Sequence, residues 1–386
     1  MMRELYVIGS GLTKIGNLWD KGLRDLAVEA GLAAMEEAGV DSVDAVFVGN
    51  MMSGILNAQE NLGAYVADYL GLSGVPAFKV EAACASGGAA VVSAAMAIKS
   101  GLFDRVLVVG VEKMSDMTAT EDVTSALATA SEADYELFWG ASFVSLNALI
   151  MRAYAQRYGL REEDFGWMPI LMHKNASDVP YAQLRFPITM ESYLSSPKIA
   201  DPIKLLDSAP MGDGAAAAVL SASERRDGEG VSVALVGFGS ATDAMALYTR
   251  EELVELKGAK LAAKRAMEMA GVTPRDLQVL EVHDAFSVMG YLNLEALGVV
   301  EPGKASRLIE SGDAERSGSL PVNPEGGLKA RGHPVGATGV YQFVEIYRQL
   351  AGRAGPAQVG SPELGATMNV GGTGSNVVVT ILRRVS

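Results

Sequence analysis

This 386-residue chain has one cysteine, three histidines, 6% aromatic residues and no long apolar run, and each scarcity excludes something. One cysteine rules out an intrachain disulfide and a cysteine-based zinc site, and it suits a reducing compartment. No stretch reaches the roughly 20 continuous apolar residues of a membrane span. The first residues, Met1-Met-Arg-Glu-Leu-Tyr-Val-Ile-Gly9, read as a strand and lack the pattern of a signal peptide, so a cytoplasmic location is expected. Positive charge is also in deficit: 32 Lys and Arg stand against 46 Asp and Glu, a net charge of −14. That argues against a nucleic-acid partner. Charged residues make up only 20% and apolar residues 49%, the balance of a globular protein and not of a disordered one.

The lone cysteine, Cys84, sits in Val80-Glu-Ala-Ala-Cys84-Ala-Ser-Gly-Gly. A β-type run precedes it, and a small-residue segment over 87–98 reads as a helix. The thiol therefore falls at a strand-to-helix elbow, where unpaired N–H groups and the helix dipole favour thiolate. An unperturbed thiol would be only about 3% ionised at pH 7. The histidines are His173, His283 in Val-His-Asp-Ala-Phe, and His333 in Gly-His-Pro-Val-Gly-Ala-Thr-Gly. A thiol needs a base, and imidazole ordinarily titrates in the right range. Acyl transfer also needs donors for an oxyanion, and the N–H of Cys84 and the Gly-rich run Asn369-Val-Gly-Gly-Thr-Gly374 are placed to supply them.

The chain also contains itself twice. Ala34-Met-Glu-Glu-Ala-Gly-Val40 and Ala266-Met-Glu-Met-Ala-Gly-Val272 agree at six of seven positions, and both read as amphipathic helices running into an apolar strand. A Gly-rich elbow and a small-residue helix follow in each copy. Each copy is expected to close on a strand, 105–110 in the first and 376–382 in the second. Two copies of one α/β unit make a layered α/β architecture, with a crevice where they join. Between them, 115–206 is rich in aromatics and breaks the alternation, as a segment covering the crevice would. This gives a first half over 1–114 and 207–230, a covering loop domain over 115–206, and a second half over 231–386.

Other motifs are weaker. Gly9-Ser-Gly11 opens like a dinucleotide fingerprint, but Lys14 stands where the third glycine belongs. Residues 369–374 lack the Lys-Ser/Thr of a phosphate loop. Residues 207–214 carry too few oxygen ligands for a calcium loop, so no metal is expected.

Ala83-Cys84-Ala-Ser-Gly-Gly88, Gly110-Val-Glu-Lys-Met114, Asp213-Gly-Ala-Ala-Ala217, His283-Asp-Ala-Phe286, Gly326-Gly-Leu-Lys-Ala-Arg-Gly-His333-Pro-Val-Gly-Ala-Thr-Gly339 and Asn369-Val-Gly-Gly372 together resemble thiolases, closest to the archaeal and sterol-carrier-protein-type branch. The resemblance implies a five-layered αβαβα fold, coenzyme A thioesters as substrates with no separate cofactor, and a homodimer or homotetramer. It implies acetyl-CoA C-acetyltransferase activity, in which two acetyl-CoA give acetoacetyl-CoA by a ping-pong Claisen condensation. It further implies a place in the mevalonate route, with 3-hydroxy-3-methylglutaryl-CoA synthase and a zinc-ribbon/OB-fold bridging protein as partners. By the same resemblance Cys84 is the acyl acceptor, His333 takes its proton, His283 polarises the second thioester, and the N–H groups of Cys84 and Gly371 hold the acyl oxygen. One departure stands out. Most thiolases carry a second cysteine as α-proton base, and the two positions where it occurs are here Asn369 and Ala285. His283 or His333, each expected to titrate near neutrality, then takes that role. Two alternatives share the fold: a retro-aldolase acting on a steroid side-chain CoA ester, and a non-catalytic scaffold. Lys174, Lys198 and Lys204 are candidates for CoA phosphate contacts.

Overall fold

A computed structural model describes residues 3–117, 119–224 and 231–385. The charged turn between the halves lies mostly at 225–230, outside the described residues. Among the described residues there are eleven strands: β1 (Tyr6–Leu12), β2 (Ala45–Gly49), β3 (Ala77–Val80), β4 (Arg105–Glu112), β5 (Lys198–Ala200), β6 (Ile203–Lys204), β7 (Gly214–Ser221), β8 (Val233–Thr242), β9 (Val279–Glu281), β10 (Leu364–Gly371) and β11 (Asn376–Arg384). Nine of them form one sheet in the order β3-β2-β4-β7-β1-β8-β11-β10-β9, and β5 pairs with β6 in a separate hairpin.

The duplication is visible in this order. Outward from the β1/β8 junction, each half runs antiparallel, antiparallel, then parallel: β1-β7-β4-β2 on one side and β8-β11-β10-β9 on the other. β3 extends the first half, and a lone parallel bridge from Leu280 to Val322 takes its place in the second. Strand 105–110 therefore corresponds to β10, and 376–382 corresponds to β7. The expectation that 105–110 and 376–382 close equivalent halves is off by one strand. β10 carries Gly, Thr and Asn among its apolar residues, so its sequence does not stand out as a buried strand, whereas β11 does.

The Leu23–Ala38 helix packs on β1 and β7, and the Lys257–Ala270 helix packs on β8 and β11. Glycines set both contacts. A Cβ on Gly9 or Gly11 would lie 2.2 and 2.0 Å from the carbonyl oxygens of Ala34 and Ala30. One on Gly237 or Gly239 would lie 2.3 and 2.1 Å from those of Ala266 and Ala262. Gly-Ser-Gly is thus a seat for a helix backbone, repeated in the second half, and not a nucleotide loop. Between the two half-sheets lie the Ser86–Lys99 and Thr338–Leu350 helices, each touching strands of both halves. They cross at glycines: a Cβ on Gly339 would lie 2.2 Å from the Gly88 nitrogen. Outer helix, half-sheet, paired central helices, half-sheet and outer helix make the five layers. Among the described residues, no helix is long and apolar enough to cross a membrane.

Candidate active site

Both central helices begin beside a cavity of about 380 Å³ whose lining is mostly apolar. Cys84, His283 and His333 meet at its wall. Segment 115–206 supplies Thr120, Phe143, Asn147 and Ile199 to the lining, and the second half supplies Phe286 and Met289. Cys84 lies two residues before the Ser86–Lys99 helix. His283 follows β9, and His333 precedes the turn into the Thr338–Leu350 helix. The Cys84 sulfur and one nitrogen of each imidazole all lie within 4.8 Å of one another. The two rings meet edge to face with centroids 5.2 Å apart.

Asn369, near the end of β10, fastens this group together. Its Oδ1 accepts from the Gly88 N–H at 3.2 Å, and its Nδ2 donates to the Cys84 carbonyl at 3.0 Å. Nδ2 also lies 3.3 Å from His283 Nδ1. His333 Nδ1 lies 2.7 Å from the Thr338 hydroxyl. Glu112, at the end of β4, accepts from the N–H groups of Met51, Met52 and Gly336 and from the Asn50 amide. It therefore ties the His333 turn to the first half.

The electrostatics overturn two expectations. Cys84 is not poised as a thiolate: burial, with the nearby Glu112 carboxylate, pushes its thiol up to about 12. Its own N–H and that of Gly372 oppose the shift without cancelling it. Nor do the histidines titrate near neutrality. Burial, reinforced by the Arg331 charge, lowers His283 to about 3, and burial with the neighbouring His283 and Arg331 holds His333 well below the usual range. The resting site is a neutral thiol beside two neutral imidazoles. Iodoacetamide alkylation of Cys84 should accordingly rise about tenfold per pH unit from pH 8 to 10. A plateau near pH 9 would show an ordinary thiol instead.

Of the remaining sequence candidates, Gly371 adjoins this group and the others lie apart from it. Gly371 ends β10 and is buried, and it is the following residue, Gly372, whose N–H reaches the sulfur and which lines the cavity. His173 is buried elsewhere, with Nδ1 2.9 Å from the Phe186 carbonyl. Lys174 and Lys198 are paired with Glu315 and Asp201. Lys204 is buried and bound to Glu162 and the Leu194 carbonyl.

Sequence reasoning missed a second convergence. Glu281, Glu325 and Glu345, all fully buried, offer oxygens within 4.8 Å of one another. Arg331, also fully buried, pairs with Glu345 at 2.9 Å. Glu281 and Arg331 stand two residues before His283 and His333, so this charge cluster lies beside the loops that carry the two imidazoles. A charged residue inside an apolar strand such as Val279-Leu-Glu281 was the available signal.

A sequence model described as "Thiolase, N-terminal domain" matches residues 5–224, and one described as "Thiolase C-terminal domain-like" matches 239–384. The acetyl-CoA acetyltransferase of Methanothermobacter thermautotrophicus is 44% identical over 386 residues, covering 99% of this chain and all of the relative. Sterol carrier protein 2 of Gallus gallus is 32% identical, covering 99% of this chain and 72% of that protein. The solved Ltp2-ChsH2(DUF35) aldolase superposes with a TM-score of 0.85 at 24% identity, covering 99% of this chain and 98% of that one, which shows a shared fold.

Proposed function

The chain belongs to the thiolase family of acyltransferases, and from that premise we propose that it is an acetyl-CoA C-acetyltransferase. The observation that carries the reading is the convergence of one thiol and two imidazoles, drawn from different halves, on one cavity. In the first half-reaction the Cys84 proton passes to His333 as sulfur attacks the thioester carbonyl of acetyl-CoA. The oxyanion lies against backbone N–H groups at Cys84 and the Gly371–Gly372 corner. The carbon–sulfur bond to CoA then breaks, and CoA leaves as the thiol with the proton from His333. In the second, another acetyl-CoA loses an α-proton, its carbanion attacks the acetyl group on Cys84, and Cys84 is released with acetoacetyl-CoA as product.

Neutral resting groups suit this scheme. A thiol that ionises only as it attacks leaves no standing thiolate to be oxidised or alkylated. The reading extends to a homo-oligomer in the cytoplasm that supplies 3-hydroxy-3-methylglutaryl-CoA synthase in the mevalonate route, bridged by a zinc-ribbon/OB-fold protein. The condensation runs uphill, so a consuming step of that kind is what it needs. A retro-aldolase or a scaffold needs no thiol on the cavity wall, and Cys84 there favours the transferase.

Intact-mass measurement after incubation with acetyl-CoA tests the proposal. One acetyl adduct is expected, lost on adding CoA and absent in Cys84→Ala. An unmodified wild-type protein would reject the transferase reading.

A further inference from the structure

Accepting the thiolase reading leaves open which group removes the α-proton, since no second thiol exists. We propose that Asn369 and Thr338 hold the two imidazoles in opposite tautomers, making His333 the base of both half-reactions and His283 a hydrogen-bond donor only.

The argument starts from the Asn369 amide. Its oxygen and nitrogen can be told apart by their partners: the Gly88 N–H can only donate, and the Cys84 carbonyl can only accept. Nδ2 therefore faces both Cys84 and His283, and its second proton points at His283 Nδ1. Nδ1 must accept, so the His283 proton resides on Nε2. An imidazole with Nε2–H toward the cavity donates to an oxygen and accepts no proton there. The residue at the place of the missing cysteine is thus not a substitute base. It is a positioning residue that turns His283 into an electrophile.

His333 is held the other way. The Thr338 hydroxyl lies 3.2 Å from the Pro334 carbonyl, to which it donates, and its oxygen is then free to accept from His333 Nδ1 at 2.7 Å. That leaves the His333 Nε2 lone pair for the cavity. The hydroxyl comes from the Thr338–Leu350 helix and the amide from β10.

One base then serves twice because it is reset in between. His333 takes the proton from Cys84 and gives it to departing CoA, returning to the neutral Nε2 acceptor. It next takes the α-proton of the second acetyl-CoA while the enolate oxygen lies against His283 Nε2–H. Collapse of the tetrahedral adduct expels the Cys84 thiolate, which recovers that proton from His333. Protons and charge balance with no further acid or base.

With only three histidines, a protein labelled with nitrogen-15 at histidine gives a spectrum simple enough to read tautomers directly, each residue assigned by its own substitution. The resting wild-type protein should show His283 protonated at Nε2 and His333 protonated at Nδ1. His283 protonated at Nδ1, or His333 at Nε2, overturns the assignment. Kinetics give a second reading. In Asn369→Asp a carboxylate replaces the amide donor and draws the His283 proton to Nδ1, so acetoacetyl-CoA formation should fall about 100-fold further than Cys84 acetylation. Equal losses in both steps overturn the proposal. Failure of Cys84 to take up acetyl at all would instead strike the thiolase reading on which the proposal rests.

Discussion

Cys84→Ala is expected to eliminate acetyl transfer while leaving the fold intact, with turnover reduced on the order of 10⁴- to 10⁶-fold. No other thiol exists to accept the acetyl group. The substitution removes one sulfur from a cavity wall where the residue is 8% exposed, so the lost packing is about 1 kcal/mol or less. Loss of function with an unchanged thermal midpoint would separate chemistry from stability. The measurement is acetoacetyl-CoA thiolysis alongside a melting curve. Undiminished cleavage of a CoA ester by Cys84→Ala would instead favour the aldolase alternative.

The largest effect on stability is expected at Arg331→Met. Arg331 is wholly buried, and Glu345 at 2.9 Å is its one hydrogen-bonded counter-charge, with Glu281 and Glu325 close by. Burial and mutual repulsion push Glu281 and Glu345 upward, and the Arg331 charge pulls the other way. Removing the cation leaves carboxyl groups that ionise only at a cost, and breaking such a buried pair costs roughly 3–5 kcal/mol. The sign with pH follows. These acids have folded-state values raised above their unfolded ones, so their favourable share is present at low pH and is lost as pH rises. Without Arg331 the rise is steeper, and the deficit of the variant should be larger at pH 8.5 than at pH 5.5. Adding Glu345→Gln should recover much of it. Melting curves at the two pH values check both statements, and a pH-independent deficit would contradict them.

What could be read from the chain follows from what kind of information each feature needs. The duplication was legible because helix periodicity and Gly-Val punctuation repeat locally, at 34–40 and 266–272. Cys84, His283 and His333 were legible because those residue types are scarce and each stands in a Gly-rich or loop context. Their protonation states were not, because a pKa depends on burial from every side, and the groups that bury Cys84 come from distant segments. Glu112 is adjacent in sequence to nothing it binds except through the fold: Met51, Met52 and Gly336 reach it from other loops. Thr338 lies only five residues after His333, yet its role depends on a turn whose geometry no local pattern announces.

The continuous sheet has a consequence for how the enzyme would work as a mechanical object. Tyr6 pairs with Ala234 and Val7 with Val233, so the backbone ladder runs without interruption from one copy of the repeat into the other. Gly87, Gly88 and Gly339 leave no slack between the central helices, and Glu112 pins the His333 turn across the same divide. Sulfur and imidazole belong to different copies, yet no hinge separates them. Their spacing is set when the chain folds, and substrate binding spends none of its energy assembling them. Any adaptation to an incoming thioester falls to the covering side of the cavity, where Thr120, Phe143 and Ile199 stand, while the reacting centre stays still.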